Sequence, residues 1–378
     1  AFTAGMPHND TYGIYKDQED GLWLGTYNGL YRKDLRTGEE QVFEAVPKQF
    51  NQTYTVEAGP SGRLAGTIEE GRDGKIWFGF FDYKVSAYDL KTQQFKNYQH
   101  HPDDPGAFRI WSMRDICQAR DGSIYFAGTN YGLCRLRPGQ ERFEYFEMDE
   151  SNPASISDNW LYRLYEDGEG MIWIGTSRGG LNRFDPKTET FTVYQHDVND
   201  RTSLPGNTVK CILERENYSG KKYLWLGTEN GLSRFDRESE TFKTYYSEDG
   251  LFSNVVHGML EDRHGRLWIS TNGGISCFDP ITGQFTNYTK EDGLQDNEFN
   301  EGAYFKDSEG WLYFGGVNGV TLFHPDSLSP NPFLPELTIT ELEIDNKRIN
   351  PGDTVGGRVV LEHAIGYQDQ ITLMPQDR

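Results

Sequence analysis

No stretch of about 18 apolar residues occurs in this chain of 378, so the sequence offers no membrane-spanning helix. Cysteine is scarce. Cys117, Cys134, Cys211 and Cys277 show no Cys-x-x-Cys spacing, so no metal site is expected and the thiols read as small buried residues. Positive charge is in deficit, with 37 Lys and Arg against 58 Asp and Glu and a formal charge of −21. Such a balance argues against non-specific binding to nucleic acid. Gly-x-Ser-x-Gly and His-Glu-x-x-His are both missing, and no cofactor is expected. The opening Ala1-Phe2-Thr3-Ala4-Gly5 lacks the charged start and apolar core of a signal peptide. With no initiator Met and an abrupt stop at Arg378, the chain is expected to be a piece excised from a longer protein.

Glycine and aromatic residues are abundant, at 42 Gly and 14% aromatic, and they fall in a repeat. Its clearest copies are Leu22-Trp23-Leu24-Gly25-Thr26, Ile172-Trp173-Ile174-Gly175-Thr176 and Leu224-Trp225-Leu226-Gly227-Thr228. Trp77 and Trp268 head close variants, and Tyr125 and Tyr313 weaker ones. The seven aromatic anchors stand 43 to 54 residues apart. A period of that length, with strand content in every unit, marks a β-propeller. The expected fold is all-β: a seven-bladed β-propeller over residues 1–326, a Pro-rich linker over 327–336, and a truncated β-sandwich-like segment over 337–378.

Residues 156–195 show the unit plainly. An inner strand, 161–165, leads through Glu166-Asp167-Gly168-Glu169-Gly170 into a second strand carrying Trp173. A turn at Ser177-Arg178-Gly179-Gly180 opens the third strand, and Asp185-Pro186 turns into a polar outer strand anchored by Phe191 and Tyr194. Blade 7 has no aromatic outer strand, because residues 325–335 carry four prolines. A ring must close or leave an edge. Its fourth strand is therefore expected from Phe2 and its neighbours or from Leu337 to Ile344. Beyond Pro335, strand-like pieces are expected at 337–344, 358–363 and 370–374, with a turn at Asp345-Asn346.

Comparing blade with blade separates scaffold from spare positions. Asn9, Asn159, Asn207 and Asn254 recur and read as loop caps. The hairpin carboxylates Asp17, Glu166, Asp167, Glu261, Asp262 and Asp307 recur too, and turn formation accounts for them better than catalysis does. Eleven residues before each anchor the chemistry diverges: Tyr12, Gly66, Arg114, Tyr162, Lys210, His257 and Gly302. Blade 2 also replaces the usual turn by Phe80-Phe81-Asp82-Tyr83. The candidate ligand-binding residues are thus Phe81, Tyr83, Arg109, Trp111 and Arg114 from blades 2 and 3. Trp160, Arg163, Arg178, Lys210 and His257 join them from blades 4 to 6. Aromatic rings that stack on sugars and guanidiniums that grip carboxylate or sulfate would suit an acidic carbohydrate. A domain–domain contact favours the same residue types.

The unit from Glu166 to Pro186, Glu-Asp-x-x-Gly-x-Ile-Trp-x-Gly-Thr-x-x-Gly-Gly-Leu-x-Arg-Phe-Asp-Pro, resembles the two-component regulator propeller repeat. The resemblance covers about six of the seven units, blade 2 diverging, and the segment from about Pro335 is similar to the start of a triple-tyrosine domain. In that family two such propellers and a triple-tyrosine domain form the periplasmic sensor of hybrid two-component systems, which respond to oligosaccharides from complex glycans. The resemblance implies that this chain is the second propeller. Its implied partners are an oligosaccharide, the neighbouring propeller and the triple-tyrosine domain, with a homodimer in the parent and a histidine kinase elsewhere in it. Two other functions compete. One is a propeller-fold polysaccharide lyase or hydrolase using His257 with Glu301; the other is a protein–protein interaction scaffold.

Overall fold

The computed structural model describes residues 8–45, 54–57, 59–60, 62, 65–101, 103–217, 219–328, 341–344, 347–363 and 371. Within Ala1–Ser327 the strands form seven sheets, and their first strands neighbour one another around a ring, that of blade 7 meeting that of blade 1. The fold is an all-β, seven-bladed propeller. Blade 4 sets the pattern with Leu161–Glu166, Ile172–Thr176, Leu181–Asp185 and Thr190–Tyr194 in antiparallel order.

Each anchor ring packs across a blade boundary. Trp173 stacks on Tyr194 of its own outer strand, with centroids 6.0 Å apart, and meets Phe235 of blade 5 edge-on at 5.8 Å. Trp225 repeats this with Tyr245 and Phe278, and Trp268 with Tyr288 and Phe323. An anchor therefore joins two sheets by buried area that neither could supply alone. The ring closes the same way. Tyr313 of blade 7 packs among Ile14, Leu22, Leu24 and Tyr31 of blade 1, and Asn300 Nδ2 donates to Asp10 Oδ1 at 2.7 Å.

The recurrent Asp has a second duty beyond its turn. Asp17 Oδ2 accepts from Trp23 Nε1 at 2.7 Å, Asp167 Oδ2 from Trp173 at 2.8 Å and Asp262 Oδ2 from Trp268 at 2.9 Å. The other oxygen of each takes two hairpin amides, those of His264 and Arg266 at 2.9 and 3.0 Å in the case of Asp262. One carboxylate thus fixes both hairpin and indole. Asp262→Ala is expected to cost about 3 kcal/mol, since it strands a buried indole N–H and two amides. The Asp262 carboxyl is buried, which alone would raise its pKa, but Trp268 and Arg266 outweigh this and hold it low. The stabilisation is present above the ordinary carboxyl range and disappears as pH falls through the lower native value. Urea titrations at pH 7 and near pH 3 should accordingly show the variant's deficit shrinking in acid.

The recurrent Asn residues cap as expected. Asn159, Asn207 and Asn254 accept from the amides of Met148, His196 and Ser247, all at 2.8 Å, and Asn297 does the same for Lys290. Asn9 instead faces Asn318 across the ring closure.

Blade 2 has a fifth strand that the repeat pattern did not foretell. Tyr54–Glu57 pairs antiparallel with the outer strand Gln94–Gln99, Tyr54 opposite Tyr98. The longest anchor spacing, Trp23 to Trp77, lies here, and it supplies the chain for the extra strand. Blade 7 has three strands among the described residues, followed by a short 3-10 turn at Pro325–Ser327. Phe2 and residues 337–340, both expected to offer its fourth strand, lie outside the described residues.

The second unit, Leu328–Arg378, contains two small hairpins among its described residues. Glu343–Ile344 pairs with Lys347–Arg348, and Thr354–Val355 with Arg358–Val359. The strand expected over 358–363 is therefore shorter, ending at Val359. The expected turn at Asp345-Asn346 and all of 370–374 except Ile371 lie outside the described residues.

Candidate functional site

The divergent positions share a backbone feature. In every blade the pairing of the first two strands slips once, leaving Tyr12, Gly66, Arg114, Tyr162, Lys210 and His257 unpaired at a β-bulge; blade 7 has a wider irregularity over 300–303. A bulge breaks the in-and-out alternation of a strand and re-aims one side chain. Repeated in six blades, with the wider irregularity in blade 7, it sets a circle of positions freed from strand pairing at one mouth of the channel. The turns between second and third strands reach the same face, because Tyr83 N–H donates to Trp111 O and Ser177 N–H to Trp160 O.

At this mouth Phe81 lies where Gly66 has no side chain, since a Cβ there would collide with its ring. Tyr12 meets Phe81 edge-on at 5.9 Å, and the Arg114 guanidinium sits 5.2 Å over the same ring. Glu301 stands between two cations, its Oε1 at 3.6 Å from Arg114 and its Oε2 at 3.5 Å from Lys210. Lys210 also lies 3.3 Å from Glu229. His257 Nε2 contacts Asn272 Oδ1 at 2.5 Å. Burial pulls the imidazole below its ordinary pKa, against the Asn272 bond that favours the charged form. His257 is therefore neutral at pH 7 and presents a free ring nitrogen.

Three buried polar atoms here lack hydrogen-bond partners: Arg114 Nε, His257 Nδ1 and Glu301 Oε1. Three at one mouth leave hydrogen-bonding capacity there for water or a ligand. The cations are already matched by carboxylates, so the mouth carries no surplus of positive charge. That balance suits hydroxyl groups, which donate to Glu301 and accept from Arg114 and Lys210, better than it suits an anion.

Beside the mouth, Tyr83 and Trp111 are exposed and stacked with centroids 6.2 Å apart. Tyr83 holds φ at +61°, a left-handed conformation costly for a bulky residue. In the other six blades the residue before the third-strand Leu, Ile or Val is a Gly at positive φ; blade 2 has Lys84 there and Tyr83 takes the bend instead. Backbone strain kept at an exposed aromatic is the kind found where surfaces are used. Trp160 is exposed too, and Asp158 accepts both its amide and that of Arg178, at 2.9 and 2.8 Å.

Two candidates from the sequence have structural work instead. Arg109 is sandwiched between Tyr131 and Tyr145, at 4.6 and 4.1 Å, and pairs with Glu147. Arg163 turns deeper into the channel, 3.2 Å from Asp115 of blade 3 and 4.8 Å over the Tyr304 ring of blade 7. Asn272 and Glu69 escaped the sequence reading. Glu69 had a signal: its counterparts opposite the other anchors are Tyr15, Cys117, Tyr165, Leu213, Leu260 and Phe305.

The four cysteines are free thiols, three of them buried. Among the described residues no helix is long and apolar enough to cross a membrane. The family model described as two component regulator propeller matches residues 5–28, 155–178 and 250–273. Histidine kinase P4 of Formosa agariphila is 27% identical over 137 residues, which is 36% of this chain and 10% of that protein. The crystal structure of the extracellular domain of BT3049 from B. thetaiotaomicron, described as a hybrid two-component system, superposes with a TM-score of 0.67 at 21% identity, covering 84% of this chain and 40% of that one. The corresponding domain of BT4673 gives 0.49 at 19% identity, covering 91% and 58%. This chain therefore spans a tenth of the curated relative and two fifths of the BT3049 domain. The blades, their anchors and the matched repeats agree: the chain is a seven-bladed propeller, and three of its repeats match the two component regulator propeller model.

Proposed function

We propose that this propeller is part of the periplasmic sensor of a hybrid two-component histidine kinase and that its bulge-lined mouth receives an oligosaccharide. The observation carrying this reading is the cluster of Arg114, His257 and Glu301 atoms that make no hydrogen bond, beside the exposed Tyr83–Trp111 pair. Polar groups of both signs with an aromatic plate are what a sugar ring needs. The charge balance favours neutral sugars over the acidic glycan that the sequence suggested. Phe81, Tyr83, Trp111, Arg114, Trp160, Lys210 and His257 would form the site, with Arg178 at its rim. Signalling would follow from unequal affinity of the sugar for two arrangements of this propeller with its neighbours, a second propeller and the triple-tyrosine domain that residues 337–378 would begin. In the parent this would occur within a homodimer.

Calorimetric titration with a panel of neutral and acidic oligosaccharides tests the reading. Heat without product formation supports a sensor. Turnover would favour the lyase or hydrolase, although Glu301 sits between two cations and His257 bonds to Asn272 rather than to a carboxylate. The exposed Trp111 and Trp160 also suit a protein contact, the outcome left if no sugar binds. Trp111→Ala and Trp160→Ala are each expected to weaken sugar binding roughly tenfold while leaving thermal stability within about 0.5 kcal/mol. Unchanged affinity in both would remove the aromatic plate from the site.

A further inference from the structure

A second candidate site lies on the opposite rim, where blade 2 lacks a group that other blades possess. In blades 1, 4 and 6 the anchor indole is held by a three-part arrangement. An Asp accepts from Nε1, and an Arg bonded to that Asp covers the ring. Arg32 pairs with Asp17 at 3.1 Å and lies 5.4 Å over Trp23; Arg237 and Asp167, and Arg266 and Asp262, do the same for Trp173 and Trp268.

Blade 2 keeps the indole and loses both partners. Six residues before Trp77 stands Gly71 in place of Asp, and opposite Trp77 on the third strand stands Ala87, where blade 1 has Arg32 opposite Trp23. Trp77 is 4% exposed and its Nε1 has no hydrogen-bond partner. The two truncations leave room. Trp77 and Ala87 line an open cleft of about 580 Å³ between blades 2 and 3. Five basic side chains, Arg72, Lys75, Lys96, Arg120 and Arg137, line it against three acidic ones. Each is already paired, Lys75 with Asp73 at 2.7 Å, Lys96 with Glu141 at 2.6 Å, Arg72 and Arg120 with Glu166 at 3.9 and 3.6 Å and Arg137 with Glu144 at 2.9 Å, so an entering carboxylate competes with these partners, and what singles out the cleft is the unbonded indole N–H.

We propose that this cleft binds the carboxylate of a small ligand, which takes the place of the missing Asp. The carboxylate accepts from Trp77 Nε1, as Asp17, Asp167 and Asp262 do in their own blades. Lys75 and Arg72 stand in for the absent Arg, and Tyr98 and Ile124 contact the ligand's apolar part. Entry requires the ends of Asp73 and Gln118 to move, since a Cβ at Gly71 would stand 2.7 Å from Asp73 Oδ1 and 3.2 Å from Gln118 Oε1. Both are side-chain tips that would have to leave their present partners, Lys75 for Asp73 and the Arg72 amide for Gln118.

The experiment titrates the purified chain with benzoate, acetate and benzamide, none of them a sugar, each followed by calorimetry and by thermal melting. Benzoate and acetate are expected to bind and to raise the melting temperature, and the uncharged benzamide is not. Gly71→Asp restores the blade's own carboxylate, so it should raise the melting temperature without ligand and weaken benzoate binding roughly tenfold or more. Ala87→Arg, which refills the cleft from the third strand, should do the same to binding. Because Gly71→Asp gains stability as it loses affinity, misfolding cannot imitate the result. Equal binding of benzamide and benzoate, no binding of benzoate by the wild type, or undiminished binding by Gly71→Asp would each overturn the proposal.

Discussion

Arg163→Met is expected to cost the propeller about 3–5 kcal/mol, the largest loss from any single side chain at the channel. Arg163 reaches from blade 4 to Asp115 in blade 3, at 3.2 Å, and covers the Tyr304 ring of blade 7. Asp115 is 4% exposed and also accepts the Leu164 amide at 2.7 Å, so its carboxyl group sits inside the ring. Burial raises the Asp115 carboxyl pKa, and the Arg163 charge is the main influence opposing that rise. Removing the guanidinium takes that opposing charge away, so the buried carboxyl group must ionise alone or take up a proton. The double variant Arg163→Met with Asp115→Asn should recover a large part of the loss, since Asn can still accept the amide and carries no charge. Urea unfolding of the single and double variants measures both numbers. If Arg163→Met instead unfolds like the wild type but loses affinity for sugar, Arg163 belongs to recognition after all.

How far the sequence reached is best seen in three residues of neighbouring blades. Trp173 was legible at once, because its partners recur in register with it and packing demands the same shape seven times over. Arg114 was legible as an exception, and the bulge explains why: a position excused from strand pairing is freed from the scaffold's chemistry. Arg163 stands one residue further along and was grouped with Arg114 as a ligand contact. The bulge ends before it, so its side chain returns to the strand's alternation and points at Asp115. A linear spacing cannot show where a bulge ends.

Arg109 illustrates a different limit. Its residue type suits recognition, yet Tyr131 and Tyr145 enclose it on both sides, and those neighbours come from a turn and an outer strand 22 and 36 residues away. The fifth strand of blade 2 was hidden for a simpler reason: Tyr54–Glu57 has no counterpart in the repeat, so comparison among blades was blind to it. Comparison was informative in the reverse direction at Gly71 and Ala87. There an absence acquires meaning only once the structure shows what Asp17 and Arg32 do in blade 1.

Glu69→Gln is expected to stabilise the propeller in mild alkali and to make little difference in acid. Glu69 stands opposite its anchor Trp77, in a register where the other blades place apolar or aromatic residues. Burial pushes its carboxyl up to about 8; the charge of Asp115 and, more weakly, of Glu70 add to the rise, and Arg163 opposes it. The native state therefore keeps a proton that the unfolded chain has released, over the interval from the ordinary value of 4.5 to about 8. Where the native state binds more protons, stability falls as pH rises. The penalty builds from about pH 4.5, is complete once pH passes the native value, and is absent below the unfolded one. Glutamine keeps the shape and never ionises. Its advantage should reach roughly 2–4 kcal/mol near pH 8.5, less than full burial would give because part of the Glu69 surface stays accessible. Urea midpoints for both proteins at pH 5 and pH 8.5 decide the matter: the curves should nearly coincide at the lower pH and separate at the higher. Equal midpoints at pH 8.5 would mean that the Arg163 charge offsets the burial of Glu69.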